Sequence, residues 1–359
     1  MTDSKIADVN WQRCAKTNKV YAKLVIIAYL CICGAIGFGI DVLINMFWFG
    51  LKWRPAIMEM LYFQRENIYG MPAMLALGVV ILGILYLCQR KVMLMGLNAY
   101  PVDNVKDLSD REKMLLDLVQ KTASAIGLEH KPELYIAETP VLNAFVGGST
   151  KKGTYLVLTK GLLTHLMPKQ VQAVIVMQLC HLKLLDQRLV VAVTLVAHIP
   201  LIIFDAIYHR FIYGKDRNPE PNPIIELGYK GLRITRFLLP AVSFLFRFIL
   251  SPDRIHFAQI MAVKLMKENQ SLGQALIKIH EYQFDNMEFL GEKYSEMAGD
   301  EIRREAYLFD PADINKSQTF ATPFSTHPTL EEQLNEIGIT DYVPNYKHTN
   351  ADVKVTIPK

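Results

Sequence analysis

Two long apolar runs near the N-terminus constrain this 359-residue chain more than anything that follows them. The first, Leu24 to Leu51, is almost wholly aliphatic and aromatic, and as a helix it is long enough to cross about 30 Å of hydrocarbon. The second, Met71 to Cys88 (MPAMLALGVVILGILYLC), is followed by Gln89-Arg90-Lys91. A backbone in lipid must satisfy its own hydrogen bonds, so two such runs joined by a short connection predict a transmembrane helical hairpin. The first run is too long for a signal-peptide core and carries no convincing small-residue cleavage site. Its one charge, Asp41, is expected near an interface or against another helix. Lys5, Arg13, Lys16, Lys19 and Lys23 precede the first run against Asp3 and Asp8, and Arg90-Lys91 follow the second. Lys52, Arg54 and Arg65 lie between the two runs. The balance puts the N-terminus and residue 91 onward in the cytoplasm.

Composition removes several function classes. The chain is 51% apolar with a net charge of +4, too little charge to argue for nucleic acid, and no basic-aromatic repeat supports that partner. Cys14, Cys31, Cys33, Cys88 and Cys180 show neither paired metal spacing nor a secreted disulfide framework. Three of them sit in apolar runs, where a free thiol behaves as a small hydrophobe.

After the hairpin, Asn104 to Ile126 reads as a soluble amphipathic helix. Leu134 to Ala137, Ala144 to Val146 and Tyr155 to Thr159 read as strands, with Gly147-Gly148 and Gly153 marking turns. A small sheet here either packs against the next helix or offers an edge, Tyr155 to Thr159, to an extended peptide. The next helix, Val171 to Arg188 (VQAVIVMQLCHLKLLDQR), carries apolar residues at helical spacing from Val171 to Leu185. On it Met177 and His181 are four residues apart and lie nearly above one another. A zinc-peptidase helix of the H-E-x-x-H type holds two histidine ligands at that spacing, with a glutamate base after the first. Leu189 to Phe204 and Phe237 to Leu250 form a second apolar pair, each near or below the length of a clean span. Residues 251 to 309 return to soluble helical patterns, and Thr322 to Ile337 reads as a turn and a helix starting near Pro328 or Thr329.

These pieces, in this order, resemble the membrane zinc metallopeptidases of the HtpX and CAAX-prenyl-endopeptidase family over roughly residues 20 to 337. Pro132 to Phe145 looks like the family's strand and its proline-x-asparagine-alanine-phenylalanine turn, including Asn143, Ala144 and Phe145. Leu156 to Leu163 looks like its edge strand and following helix start. Lys169 to Asp186 matches its metal-helix frame, with an aspartate five residues after His181. Ser251 to Ala262 (SPDRIHFAQIMA) looks like the third-ligand segment. Phe324 to Gln333 resembles the serine-threonine-histidine-proline turn, with Ser325, His327 and Pro328. The resemblance implies a mainly α-helical α+β membrane protein built on a zincin-like domain. It divides into a cytoplasmic segment (1–23), the hairpin (24–90), the first part of the zincin-like domain (91–187), a second apolar hairpin before the third-ligand helix (188–250), the second part (251–340) and a tail (341–359).

The departures fall on the chemistry. Met177 stands where the resemblance implies the first histidine ligand, Gln178 where it implies the general base, Ile255 at the third ligand and Gln259 at an aspartate four residues on. Only His181 keeps its ligand position. Thioether and alkyl side chains do not make a zinc site, and an amide cannot take a proton from bound water at neutral pH. Cys180 and His256 each adjoin a ligand position, but one residue around a helix turns a side chain by about 100°. Two expectations follow. In the first, the chain is an inactive metallopeptidase homologue without cofactor, in a bacterial inner membrane, binding or regulating membrane proteins, a peptide or an active peptidase partner, with its oligomeric state open. In the second, it is a membrane metalloendopeptidase with an unorthodox zinc site that includes His181.

Overall fold

The structure, a computed structural model, describes residues 11–49, 69–104, 108–148, 153–197, 250, 253–297, 299–310, 327–340 and 342. Most of the second apolar pair (198–249) and Ser325 lie outside these residues. The first run forms helix α1 (Trp11–Phe49) and the second α2 (Gly70–Leu94). Both are long and apolar enough to cross a membrane. Helix α1 begins 13 residues before the apolar run, so its polar N-terminal part continues the helix.

The hairpin closes through glycine and one carboxylate. A Cβ on Gly37 would lie 2.5 Å from the Gly70 carbonyl oxygen, so the helices meet there backbone to backbone. One turn along, Asp41 is 1% exposed and its carboxylate accepts from the N–H groups of Tyr69 (3.1 Å), Gly70 (2.6 Å) and Met71 (2.8 Å). The charge expected near an interface or against a neighbour therefore satisfies the orphan donors that begin α2 and complements its dipole.

Beyond the hairpin come β1 (Ala99–Pro101), a 3₁₀ turn (Val102–Asn104) and α3 (Asp110–Ile126). Ser109 and Glu112 close a capping box at the start of α3, and Gly127 ends it in the left-handed region. Strands β2 (Glu133–Ala137), β3 (Ala144–Gly147) and β4 (Tyr155–Thr159) follow, then α4 (Lys160–His165), α5 (Pro168–Leu184) and α6 (Asp186–Ala197). The remaining elements are α7 (Asp253–Met266), α8 (Gln270–Asp285), α9 (Met287–Glu296), α10 (Asp300–Arg303), a 3₁₀ turn (Arg304–Ala306) and α11 (Leu330–Glu336).

The sheet order is β1-β2-β4-β3, with β2 parallel to β4 and the outer pairs antiparallel. This corrects the expectation that Tyr155 to Thr159 is an edge. That strand is central and buried along its whole length, and the edge nearest the metal-helix frame is β3. A buried five-residue strand with neighbours on both sides leaves no ladder groups to offer. The sheet packs on α5, which α3, α7 and α8 also cover, in one apolar core. Helix α6 packs against α1 and α2, with Leu189, Val190, Val193 and Val196 meeting Ala22 and Val25.

Replacing Asp41 with alanine should strand three N–H groups and lower stability by about 3 kcal/mol, and Asp41→Asn by less, since an amide oxygen still accepts. Unfolding in detergent would check this, and equal midpoints for all three proteins would refute it.

Candidate functional site

Helix α5 has 13 of its 17 residues buried, including every one from Ala173 to Leu182. A charge within that stretch must find a partner inside the protein. His181 finds one in Asp186: its Nδ1 meets Asp186 Oδ2 in a short contact, and both side chains are buried. On a continuous helix a residue five positions on would point to another face. The chain avoids this at Leu185, whose φ of 58° puts it in the left-handed region that non-glycine residues rarely adopt. That break ends α5, starts α6 and swings Asp186 back onto His181. A histidine held at Nδ1 by a carboxylate presents Nε2 to whatever lies beyond, as metal-binding and proton-transferring histidines do.

Beyond it is a small cavity of about 20 Å³, room for a water molecule and far too little for a peptide. Four of the five positions singled out in the sequence line it: Met177, Gln178, His181 and Ile255. Met177 and Ile255 are 1% and 4% exposed, so apolar volume stands where two ligands are implied. Gln259 does not reach the cavity. It is fully buried one turn along α7, and its Nε2 donates to Gln333 Oε1 at 2.6 Å, while Gln333 Nε2 donates to the Pro328 carbonyl at 3.0 Å. That file of amides fastens α7 to α11 and its preceding turn.

The sequence reading gave no role to Arg254 and Gln187, which also line the cavity. Burial pushes the Arg254 pKa down, against the opposing pull of Asp186 and Glu305, and its Nη2 donates to the Glu305 carbonyl at 2.8 Å. Arg254 adjoins Ile255 in the segment matched to the third ligand, so its place was legible there. The role of Asp186 was not, because it depends on the turn at Leu185.

The neighbours that could rebuild a metal site do not converge. Cys180 lies in the core, fully buried, and burial pushes its thiol pKa well up, the opposite of what a thiolate ligand or nucleophile needs. His256 is absent from the cavity lining. Among the described residues no three His, Cys, Asp or Glu side chains come together. Zinc requires at least three protein donors, and a thioether, an alkyl group, an amide and one imidazole do not fit it.

Asn143 does more than shape a turn. Its Oδ1 accepts from the N–H groups of Ala144 (2.9 Å), Leu308 (3.0 Å) and Phe309 (3.3 Å), and its Nδ2 donates to the Phe309 carbonyl and to Tyr294 Oη. It thereby lashes the segment Tyr307–Phe309 to the outer edge of β3. Thr159 N–H donates to Asn143 O, so the antiparallel alternation turns the backbone groups of Ala144 and Val146 outward. Leu308 N–H already donates to Ala144 O at 2.9 Å. Phe145 stacks edge-on against Tyr307, 5.6 Å between centroids. His327, in the serine-threonine-histidine-proline turn, has its Nε2 2.9 Å from the Tyr307 carbonyl and so holds the same segment.

Asn143→Ala should lower stability by about 3 kcal/mol or more, because it strands several buried backbone groups at once. A thermal midpoint within a degree or two of wild type would show that these bonds carry little.

Residues 109–339 match the peptidase family M48. A protease HtpX homologue of Helicobacter pylori (strain Shi470) is 26% identical over 331 residues, covering 92% of this chain and 98% of that protein. The homologue from Dictyoglomus turgidum is 30% identical over 223 residues, 62% of this chain and 68% of its own length. The crystal structure of S. mikatae Ste24p aligns over 91% of this chain and 67% of that chain, at 14% identity and a TM-score of 0.38.

Proposed function

This chain belongs to peptidase family M48, and we propose that it is a pseudoprotease of that family: an integral-membrane, catalytically inactive homologue that binds or regulates membrane proteins or an active peptidase. The observation that carries this reading is the cavity beside His181, where buried Met177 and Ile255 replace two ligands and Gln178 replaces the base. Without a second and third donor, His181 keeps its carboxylate partner but gains no metal. The amide at position 178 cannot take a proton from an attacking water as a carboxylate there would. The proposed setting is a bacterial inner membrane, with the soluble part in the cytoplasm, as the positive-inside bias favours.

One observation favours the second reading, an active enzyme with an unorthodox zinc site. The His181–Asp186 pair is the arrangement that orients a metal-bound histidine. Zinc measurement on detergent-purified protein separates the two. The pseudoprotease reading expects zinc far below one per chain in both the wild type and His181→Ala, and no casein cleavage that a chelator abolishes. Near-stoichiometric zinc that disappears in His181→Ala would overturn it.

A constructive test uses the retained frame. Met177→His, Gln178→Glu, Ile255→Glu and Gln259→Asp, introduced together, should take up about one zinc per chain, a complete three-ligand set with an open position. Failure of the folded variant to bind zinc would mean that the frame, and not only the ligands, has changed. Copurification in mild detergent should recover a membrane-protein partner, and a chain that repeatedly purifies alone would count against the regulatory role.

A further inference from the structure

Helix α1 is longer than any bilayer requires. Its 39 residues make about 58 Å of helix at 1.5 Å per residue, against about 30 Å of hydrocarbon. The excess lies at the N-terminal end, where after Trp11 the exposed large apolar side chains resume at Val20 and Tyr21. From Trp11 to Ile40 there is no acidic residue, and Lys16, Lys19 and Lys23 are all exposed. None of these three lysines has an ion pair or hydrogen bond among the described residues.

Their placement is not random around the helix. At 100° per residue, Lys16 and Lys23 fall within about 20° of each other, in line with Val20 and Ile27, and Lys19 lies about 60° to one side. Val20 and Ile27 are 47% and 55% exposed, so the ridge continues directly into the face that α1 turns to lipid. The opposite side is the docked one. Asn18 Nδ2 donates to the Leu184 carbonyl at 3.1 Å, and Ala22 and Val25 pack on α6. Lys91, also exposed, sits at the same end of the antiparallel hairpin.

We propose that this ridge binds the headgroups of anionic phospholipids in the leaflet that faces the soluble domain. Lys23 adjoins Leu24, where the apolar run begins, and Lys19 and Lys16 follow about 7 and 12 Å below it along the axis. The headgroup layer is about 5–8 Å thick, and a lysine stem lies along apolar surface while its ammonium reaches that layer. Lys23 and Lys19 therefore meet phosphate directly. Lys16 acts from roughly one Debye length at physiological salt. A zwitterionic headgroup offers no net charge to match. The interaction fixes the depth of α1, and through Asn18 and Ala22 it fixes how α5 and α6 sit against the membrane.

The test uses the full chain in detergent, titrated with short-chain phosphatidylglycerol or phosphatidylcholine and read by native mass spectrometry. Three lysines beside a charged leaflet supply on the order of a hundredfold preference for the anionic lipid. Lys16→Gln, Lys19→Gln and Lys23→Gln together should bring the two lipids within about threefold of each other, and the matching Lys→Arg variant should keep the preference. Raising salt should erode the preference of the wild type itself, a result that needs no variant to fold. Soluble glycerol phosphate should not compete, because it lacks the acyl chains that hold the headgroup at the ridge. An equal affinity of the wild type for both lipids, or a preference untouched by the glutamine substitutions, would overturn the proposal.

Discussion

The contact on which the candidate site depends is His181 against Asp186. It joins the end of one helix to the start of the next across a left-handed residue, Leu185. A non-glycine residue in that region stores strain of order 1–3 kcal/mol, so something must hold it there. The buried pair does so, because separating the two side chains would leave a buried carboxylate and imidazole without each other. Once α6 is turned in this way, its apolar face lies on α1 and α2. One short polar contact thus sets the angle between the soluble helices and the membrane hairpin.

Charge meets both ends of α2, closing the hairpin at one end and tying it to the soluble part at the other. Asp41 lies on its N-terminal N–H groups. At the other end Arg303, fully buried, donates to the Met95 carbonyl at 2.7 Å. Each charge has the sign that the helix dipole favours. Arg90 adds a two-pronged bond to Glu133 on β2, at 2.8 and 3.0 Å. The Nε of Arg303 also donates to Tyr307 Oη, and Tyr307 borders the cavity. A single buried guanidinium therefore touches both the end of a membrane helix and the wall of the site.

Sequence patterning showed the parts whose signal is local. The two apolar runs, the helix over α5, Thr329 at the head of α11 and the strand at Tyr155–Thr159 all follow from periodicity or turn chemistry. What it missed depends on long-range closure. The three residues of β1 are too few to show alternation. The order of the sheet cannot be read from strands taken one at a time, which is why a central strand was read as an edge. The substituted positions were visible because each sits within a recognisable frame. The segment Tyr307–Phe309 was not, since its place on β3 is written in the side chain of Asn143, some 165 residues earlier.

The substitutions also make sense as a set. The resemblance implies three carboxylates at positions 178, 255 and 259, balanced by a divalent ion. Losing the ion alone would leave several negative charges buried together, each costing several kcal/mol. Here all three are neutral: glutamine, isoleucine and glutamine. What remains ionisable there is Asp186 on His181, with buried Arg254 and Glu305 beside them. A site that had lost one ligand would be strained and close to reversal. One in which the implied ligands, base and second carboxylate are all exchanged for groups that fill volume or pair among themselves would be at rest without metal. That consistency, more than any single missing histidine, supports reading the frame as kept for holding a shape, with hydrolysis given up.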